Sequence, residues 1–195
     1  MEKPNIQALP AWARPLWEYV PGDAREEAEQ KEMLKLIAIL GDQILTRECD
    51  FAHMTASAII VSPDRTKTLM AFHRLYNSWA WTGGHADGEN DFEALARREA
   101  QEETGITGLR RIGSGIASME ILPVWAHVKR GKHVGTHLHL NVTYLFEADD
   151  SLPLRTAEDE NSAVGWLQIS ELEQKVSEPP MMPIYKKLLN RANNC

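Results

Sequence analysis

Cysteine is almost absent. Only Cys49 and Cys195 occur in 195 residues, too few for a disulfide framework, and that suits a reducing compartment. Long apolar runs are missing as well, since no window approaches the ~18–20 consecutive apolar residues of a membrane-spanning helix. The opening MEKPNIQALPAWARPLW has no basic region followed by an apolar core, so a cytoplasmic protein with no membrane partner is expected. Positive charge is scarce: 21 Lys and Arg stand against 28 Asp and Glu, for a net charge of -7. Binding to a nucleic-acid backbone draws on clustered positive surface, which makes nucleic acid an unexpected partner. What is present, 43% hydrophobic and 25% charged residues, fits one compact domain with an appended segment.

The first fifty residues read differently from the rest. Pro4, Pro10, Trp12, Pro15, Trp17 and Pro21 interrupt one another too often for regular structure, so an extended arm is expected. Asp23 and Glu26 then have the spacing of a capping box, and Met33, Leu36, Ile37, Leu40 and Ile44 recur at helical period. One amphipathic helix over roughly 24–46 follows from that pattern. Residues 1–50 are therefore read as an N-terminal arm and helix, and 51–195 as the main domain.

From Met54 the period shortens. MTASAIIVS and TLMAFHRLY, separated by the turn-forming SPDRTK, read as a hairpin. HLHLNVTYLFEA alternates, with Leu138, Leu140, Val142, Tyr144 and Phe146 on a core face and His137, His139, Asn141 and Thr143 on a polar one. VGWLQI is a further strand, Ser170 and Glu173 have a capping spacing, and MMPIYKKLLNRAN reads as a final helix.

The chemistry concentrates in GGHADGENDFEALARREAQEETGI, Gly83 to Ile106. A glycine turn leads into a helix that begins near Asn90 or Asp91 and stops at Gly105, a residue suited to the left-handed conformation past a helix end. A helix advances about 100° per residue, so Glu99, Glu102 and Glu103 share one face, and Phe92, Leu95 and Ala96 run along the same stripe. Solvated glutamates at helix ends are common. Carboxylates crowded on an inward face, however, repel one another and call for a hard divalent cation with oxygen preference. Gly83 and Gly84 remove side chains where backbone must approach a metal or phosphate, and Arg98 can hold a neighbouring carboxylate.

Gly84, Arg98, Glu99, Ala100, Glu102, Glu103, Gly105 and Ile106 fall at the spacing of the Nudix box, and the chain resembles the Nudix hydrolase family. The first glutamate of that pattern is replaced by Asn90, which can cap a helix but brings no charge. The resemblance implies an α/β fold, a Nudix-like α/β/α sandwich with a mixed β-sheet, here preceded by an N-terminal helical extension. It further implies that Glu99, Glu102 and Glu103, with the Gly83 carbonyl, ligate Mg²⁺ or Mn²⁺, that Arg98 orients Glu99, and that water activated by metal and a glutamate attacks a diphosphate linkage. The family draws its general base from the box or from a later loop. Glu158, Asp159 and Glu160 are the loop candidates, with Glu160 favoured. The expected enzyme is a pyrophosphohydrolase acting on a nucleoside diphosphate derivative or a similar small phosphorylated metabolite.

Two other readings share the resemblance. A ligand-sensing module without catalysis is motivated by Asn90. A prenyl diphosphate isomerase would need a reactive cysteine in the pocket, and Cys49 and Cys195 lie outside the expected site. His85, at the mouth of the glycine turn, together with His137, His139 and Arg74, are candidate contacts to the phosphorylated substrate. Against this, the histidine strand face could simply be solvated, and HxH alone lacks a third transition-metal ligand. Lys129, Arg130, Lys132 and His133 form a small basic loop, and Trp79 and Trp81 read as core packing rather than base-stacking groups. The N-terminal segment has three uses open to it: docking on the domain, covering the site, or making a homodimer contact.

Overall fold

The computed structural model describes residues 2–129, 131–157 and 161–195. In chain order these form α1 (Arg14–Glu18), α2 (Ala24–Leu40), β1 (Ala52–Val61), β2 (Lys67–His73), β3 (Ser78–Ala80), β4 (Thr82–His85), α3 (Phe92–Thr104), β5 (Arg110–Ile112), β6 (Ser118–Val124), β7 (His127–Lys129), β8 (Lys132–Val134), β9 (His137–Glu147), β10 (Asn161–Gln168), α4 (Leu172–Lys175) and α5 (Met182–Asn193). The fold is mixed α/β with a mixed central sheet. Backbone pairing orders that sheet β10-β2-β1-β9-β5, with β3 on β2, β4 on β1 and β6 on β9, while β7 and β8 pair separately. Among the described residues no helix is long and apolar enough to cross a membrane.

Two compact units share the chain. The first takes in the residues up to Ala56, His85–Phe92 and Ser118–Val142. Its N-terminal stretch is helical rather than an extended arm. Short 3-10 turns at Ile6–Ala8 and Ala11–Ala13 precede α1, and the tryptophans give the segment something to hold. Trp12 donates from Nε1 to Asp42 at 2.8 Å and packs edge-on against Phe92. Trp17 donates to the Pro4 carbonyl. Each indole thus contributes apolar area and one directed hydrogen bond, which outweighs the prolines' interruption of regular structure.

Asp23 caps α2 by accepting from the Glu26 N–H at 2.8 Å. The helix ends earlier than the expected 24–46, because Gly41 takes φ +56° and the chain continues as a 3-10 turn over Gly41–Leu45. Its buried stripe is also displaced, running Glu26, Gln30, Met33, Leu34 and Ile37. Leu36 and Leu40 are only half-buried. The polar members are held by specific partners: Gln30 donates to the Leu16 and Tyr19 carbonyls at 2.8 Å each, and Glu26 accepts from Tyr19, Gly22 and Ser118. A buried polar group with partners stabilises a docking geometry that apolar periodicity alone does not reveal.

The second unit comprises Ser57–Gly84, Glu93–Ala117 and Thr143–Cys195. The expected hairpin forms with Ile60 opposite Leu69, and β10 lies antiparallel on the other side of β2, Trp166 opposite Leu69. In its turn, Asp64 accepts from the Ser62 hydroxyl and from the Thr66 N–H and hydroxyl, and these bonds hold its pKa down to about 2. The final helix α5 buries Ile184, Tyr185, Leu188, Leu189 and Ala192. Trp81 packs edge-on against Tyr185, and Trp79 against Phe72.

Candidate functional site

The helix expected to carry the acidic face is α3. It runs from Phe92 to Thr104 and ends at Gly105, whose φ of +70° places it in the left-handed region. Leu95, Ala96 and Ala100 are fully buried. The last turn is closed from elsewhere in the chain: Arg155 N–H donates to the Thr104 carbonyl at 2.7 Å and Ala157 N–H to the Glu103 carbonyl at 3.2 Å. Helix-end carbonyls that would otherwise lack partners are thereby satisfied, which fixes the turn that carries Glu102 and Glu103.

Two of the three carboxylates grip the glycine pair. Glu103 Oε1 accepts from the Gly83 N–H at 2.8 Å. The Glu99 carboxyl fills the place of a side chain at position 84, since a Cβ built there would lie 2.3 Å from Glu99 Cδ. Only glycine permits that approach. Glu102 differs, with a side chain 63% exposed against 23% for Glu99. Arg98 reaches both, at 3.9 Å from Glu99 and 3.8 Å from Glu102, distances of charge attraction rather than hydrogen bonding.

Sequence reasoning missed Asn161. It is fully buried at the start of β10 and donates from Nδ2 to Glu103 Oε2 at 2.6 Å. Its Oδ1 is buried without a hydrogen-bond partner among the described residues. Asn161 lies 58 residues from Glu103, and no local spacing links them. The donors gathered here are all oxygens: two carboxylates, the main chain of a glycine turn without side chains, and an unsatisfied amide oxygen. This set fits a hard divalent cation such as Mg²⁺ or Mn²⁺. The general-base candidates Glu158, Asp159 and Glu160 lie outside the described residues, as does Arg130 of the basic loop. Asn90 is exposed.

The histidines present a different picture. His137 is 7% exposed, Asn141 1% and Thr143 0%, with His139 half-buried, so the polar face of β9 is largely covered. It is not a solvated strand face. Asn141 accepts from the Thr55 hydroxyl at 2.9 Å. His137 and His139 face each other, Nε2 to Nε2, at 3.3 Å. His53 of β1, which sequence reasoning did not single out, packs its ring 4.9 Å from His137, 5.1 Å from His139 and 5.0 Å from His85. Burial pushes the His53 pKa below the ordinary imidazole value, against the opposing bond to the Cys49 carbonyl. Among the described residues, the ligand-type side chains whose donor atoms already converge are His53, His137 and His139. Arg74 lies in the exposed turn between β2 and β3, and Lys132 and His133 are exposed on β8.

The NUDIX domain family matches over residues 52–191. The chain belongs to the Nudix family. Among solved structures the Nudix chain is similar to a C. elegans Ap4A hydrolase in a binary complex, at 18% identity over 72% of this chain and 95% of that one, with a TM-score of 0.52. It is also similar to a Listeria monocytogenes protein described as a NUDIX hydrolase, at 14% identity over 72% and 94%, with a TM-score of 0.52. At these identities the likeness speaks for the Nudix fold. No curated protein matches the chain.

Proposed function

We propose that the chain is a divalent-metal-dependent hydrolase cleaving a diphosphate linkage in a nucleoside diphosphate derivative or similar small phosphorylated metabolite. One observation carries this reading: the glycine pair Gly83–Gly84 is held between Glu99 and Glu103 on a single helix face. In this reading Glu99, Glu102 and Glu103, with the Gly83 carbonyl, hold Mg²⁺ or Mn²⁺. Such an ion neutralises phosphate charge and lowers the pKa of a bound water.

The protein's own part is to fix those donors. The Gly83 N–H and the Asn161 amide each occupy one Glu103 oxygen, so the carboxylate cannot rotate away. Arg98 spans Glu99 and Glu102 and keeps their repulsion in check. Exposed Glu102 remains free to approach when substrate phosphate arrives. We assign the general base to Glu160, and direct contacts to the substrate to His85, His137, His139 and Arg74. The Ap4A hydrolase likeness makes dinucleoside polyphosphates one class to try.

The test is turnover of nucleoside diphosphate sugars, ADP-ribose, dinucleoside polyphosphates and nucleoside triphosphates with Mg²⁺ or Mn²⁺. Product release that stops on chelation supports the reading. Tight ligand binding with no product from any of them, or turnover indifferent to Glu103→Gln, overturns it.

A further inference from the structure

We infer that His53, His137 and His139 form a transition-metal site for a borderline ion such as Zn²⁺, built from other residues than the carboxylates of α3. This goes beyond the proposed hydrolysis and does not depend on it. All three residues, and the neighbouring His85, belong to the first compact unit.

The hydrogen-bond pattern decides which nitrogens are available. His53 Nδ1 faces the Cys49 carbonyl at 3.3 Å, and His137 Nδ1 faces the Gly135 carbonyl at 2.9 Å. A carbonyl can only accept, so both rings carry their proton on Nδ1, and in the neutral imidazole Nε2 is then a bare lone pair. Main-chain carbonyls that fix the tautomer in this way are the usual outer support of metal-bound histidine. His53 Nε2 is buried without a hydrogen-bond partner among the described residues. His137 Nε2 points at His139 Nε2. The Nε2–Nε2 contact calls for a proton or a shared cation between the two nitrogens, and His53 Nε2 lies buried beside them.

The spacing fits a cation. Nitrogens bound at about 2.0–2.1 Å to one tetrahedral Zn²⁺ lie about 3.3 Å apart, and the His137–His139 pair is already at 3.3 Å. The donor atoms of all three histidines fall within 4.8 Å of one another, so an ångström-scale closure completes the triad. Imidazole donors select Zn²⁺ and its neighbours over Mg²⁺, which prefers oxygen. His85, its ring 4.8 Å from that of His139 and 5.0 Å from that of His53, borders the fourth position.

The experiment uses the full chain, stripped with chelator and titrated with Zn²⁺ alone, and separately with Co²⁺ alone, in the presence of excess Mg²⁺. Expected are uptake that Mg²⁺ does not displace and the intense visible absorption of four-coordinate, nitrogen-ligated Co²⁺. His53→Ala and His139→Ala should each weaken Zn²⁺ binding about tenfold or more, with the far-UV circular dichroism of each variant confirming that it folds. Glu103→Gln should leave Zn²⁺ binding in place, which separates the two metals. No Zn²⁺ uptake by the unmodified chain, a weak six-coordinate Co²⁺ spectrum, binding unchanged in folded histidine variants, or loss of Zn²⁺ binding in Glu103→Gln would each overturn the assignment. If a histidine variant does not fold, the Co²⁺ spectrum of the unmodified chain still decides.

Discussion

The acidic face of α3 takes its three carboxylates from one turn of helix, Glu99 to Glu103, whereas the histidine cluster assembles from positions 53, 85, 137 and 139 on three strands. The first keeps its charged donors near water, with the Glu102 side chain 63% exposed. The second draws its donors out of water, with His53 5% and His137 7% exposed. A charged carboxylate left half-solvated has only a modest desolvation cost and can wait for its cation. A buried imidazole has to have its proton placed by the main chain beforehand. Local spacing on one helix gathers the carboxylates, whereas the sheet has to bring the histidines together.

Substitutions can break that contrast, and the largest effect is expected at the acidic face. Glu103→Gln keeps the shape but removes charge from the carboxylate that touches both Gly83 and Asn161. It should lower diphosphate turnover about 10²–10³-fold, the loss typical of one preorganised electrostatic group, as read by product release at saturating Mg²⁺. Gly84→Ala drives a methyl group into the Glu99 carboxyl and should cost about a hundredfold by misplacing it. Steady-state kinetics beside a circular dichroism spectrum would check this. Normal activity there would mean that Glu99 is not needed in its observed position.

Asn161→Ala removes the amide that holds Glu103, together with the unsatisfied oxygen beside it. A loss of about 10–100-fold, with an increased Mg²⁺ requirement that high Mg²⁺ partly relieves, is expected from such outer support. A metal titration of the variant tests it. The smallest effect belongs to Asn90→Glu, which restores the Nudix-box glutamate at an exposed position. Turnover should change by less than about twofold, the size usual for a surface substitution away from such contacts. A large gain would instead mark position 90 as part of the site.

The same contrast explains how much could be read from the chain. The turn, the helix and its Gly105 stop were legible because each depends on residues within one or two turns of one another. The hairpin and the final helix were legible for the same reason. His53 and Asn161 were not, since their partners lie far along the chain and no period links them. The polar face of β9 was left open between a pocket lining and a solvated face, because alternation shows two faces without showing whether both are covered. The N-terminal segment was misjudged because prolines signal interrupted structure while the hydrogen bonds of Trp12 and Trp17 are invisible to periodicity. In α2, Glu26 and Gln30 sit on the inward stripe by virtue of partners that composition does not announce.

Closure of the last turn of α3 by Arg155 and Ala157 has a bearing on biogenesis. A ribosome will have made the whole Gly84–Ile106 segment some fifty residues before it makes the stretch that ties that turn down. A nascent or truncated chain ending ahead of Arg155 would therefore carry every letter of the motif while the Glu103 and Thr104 carbonyls lacked these partners. The last turn of α3 should therefore reach its full stability only once residues 155–157 are in place.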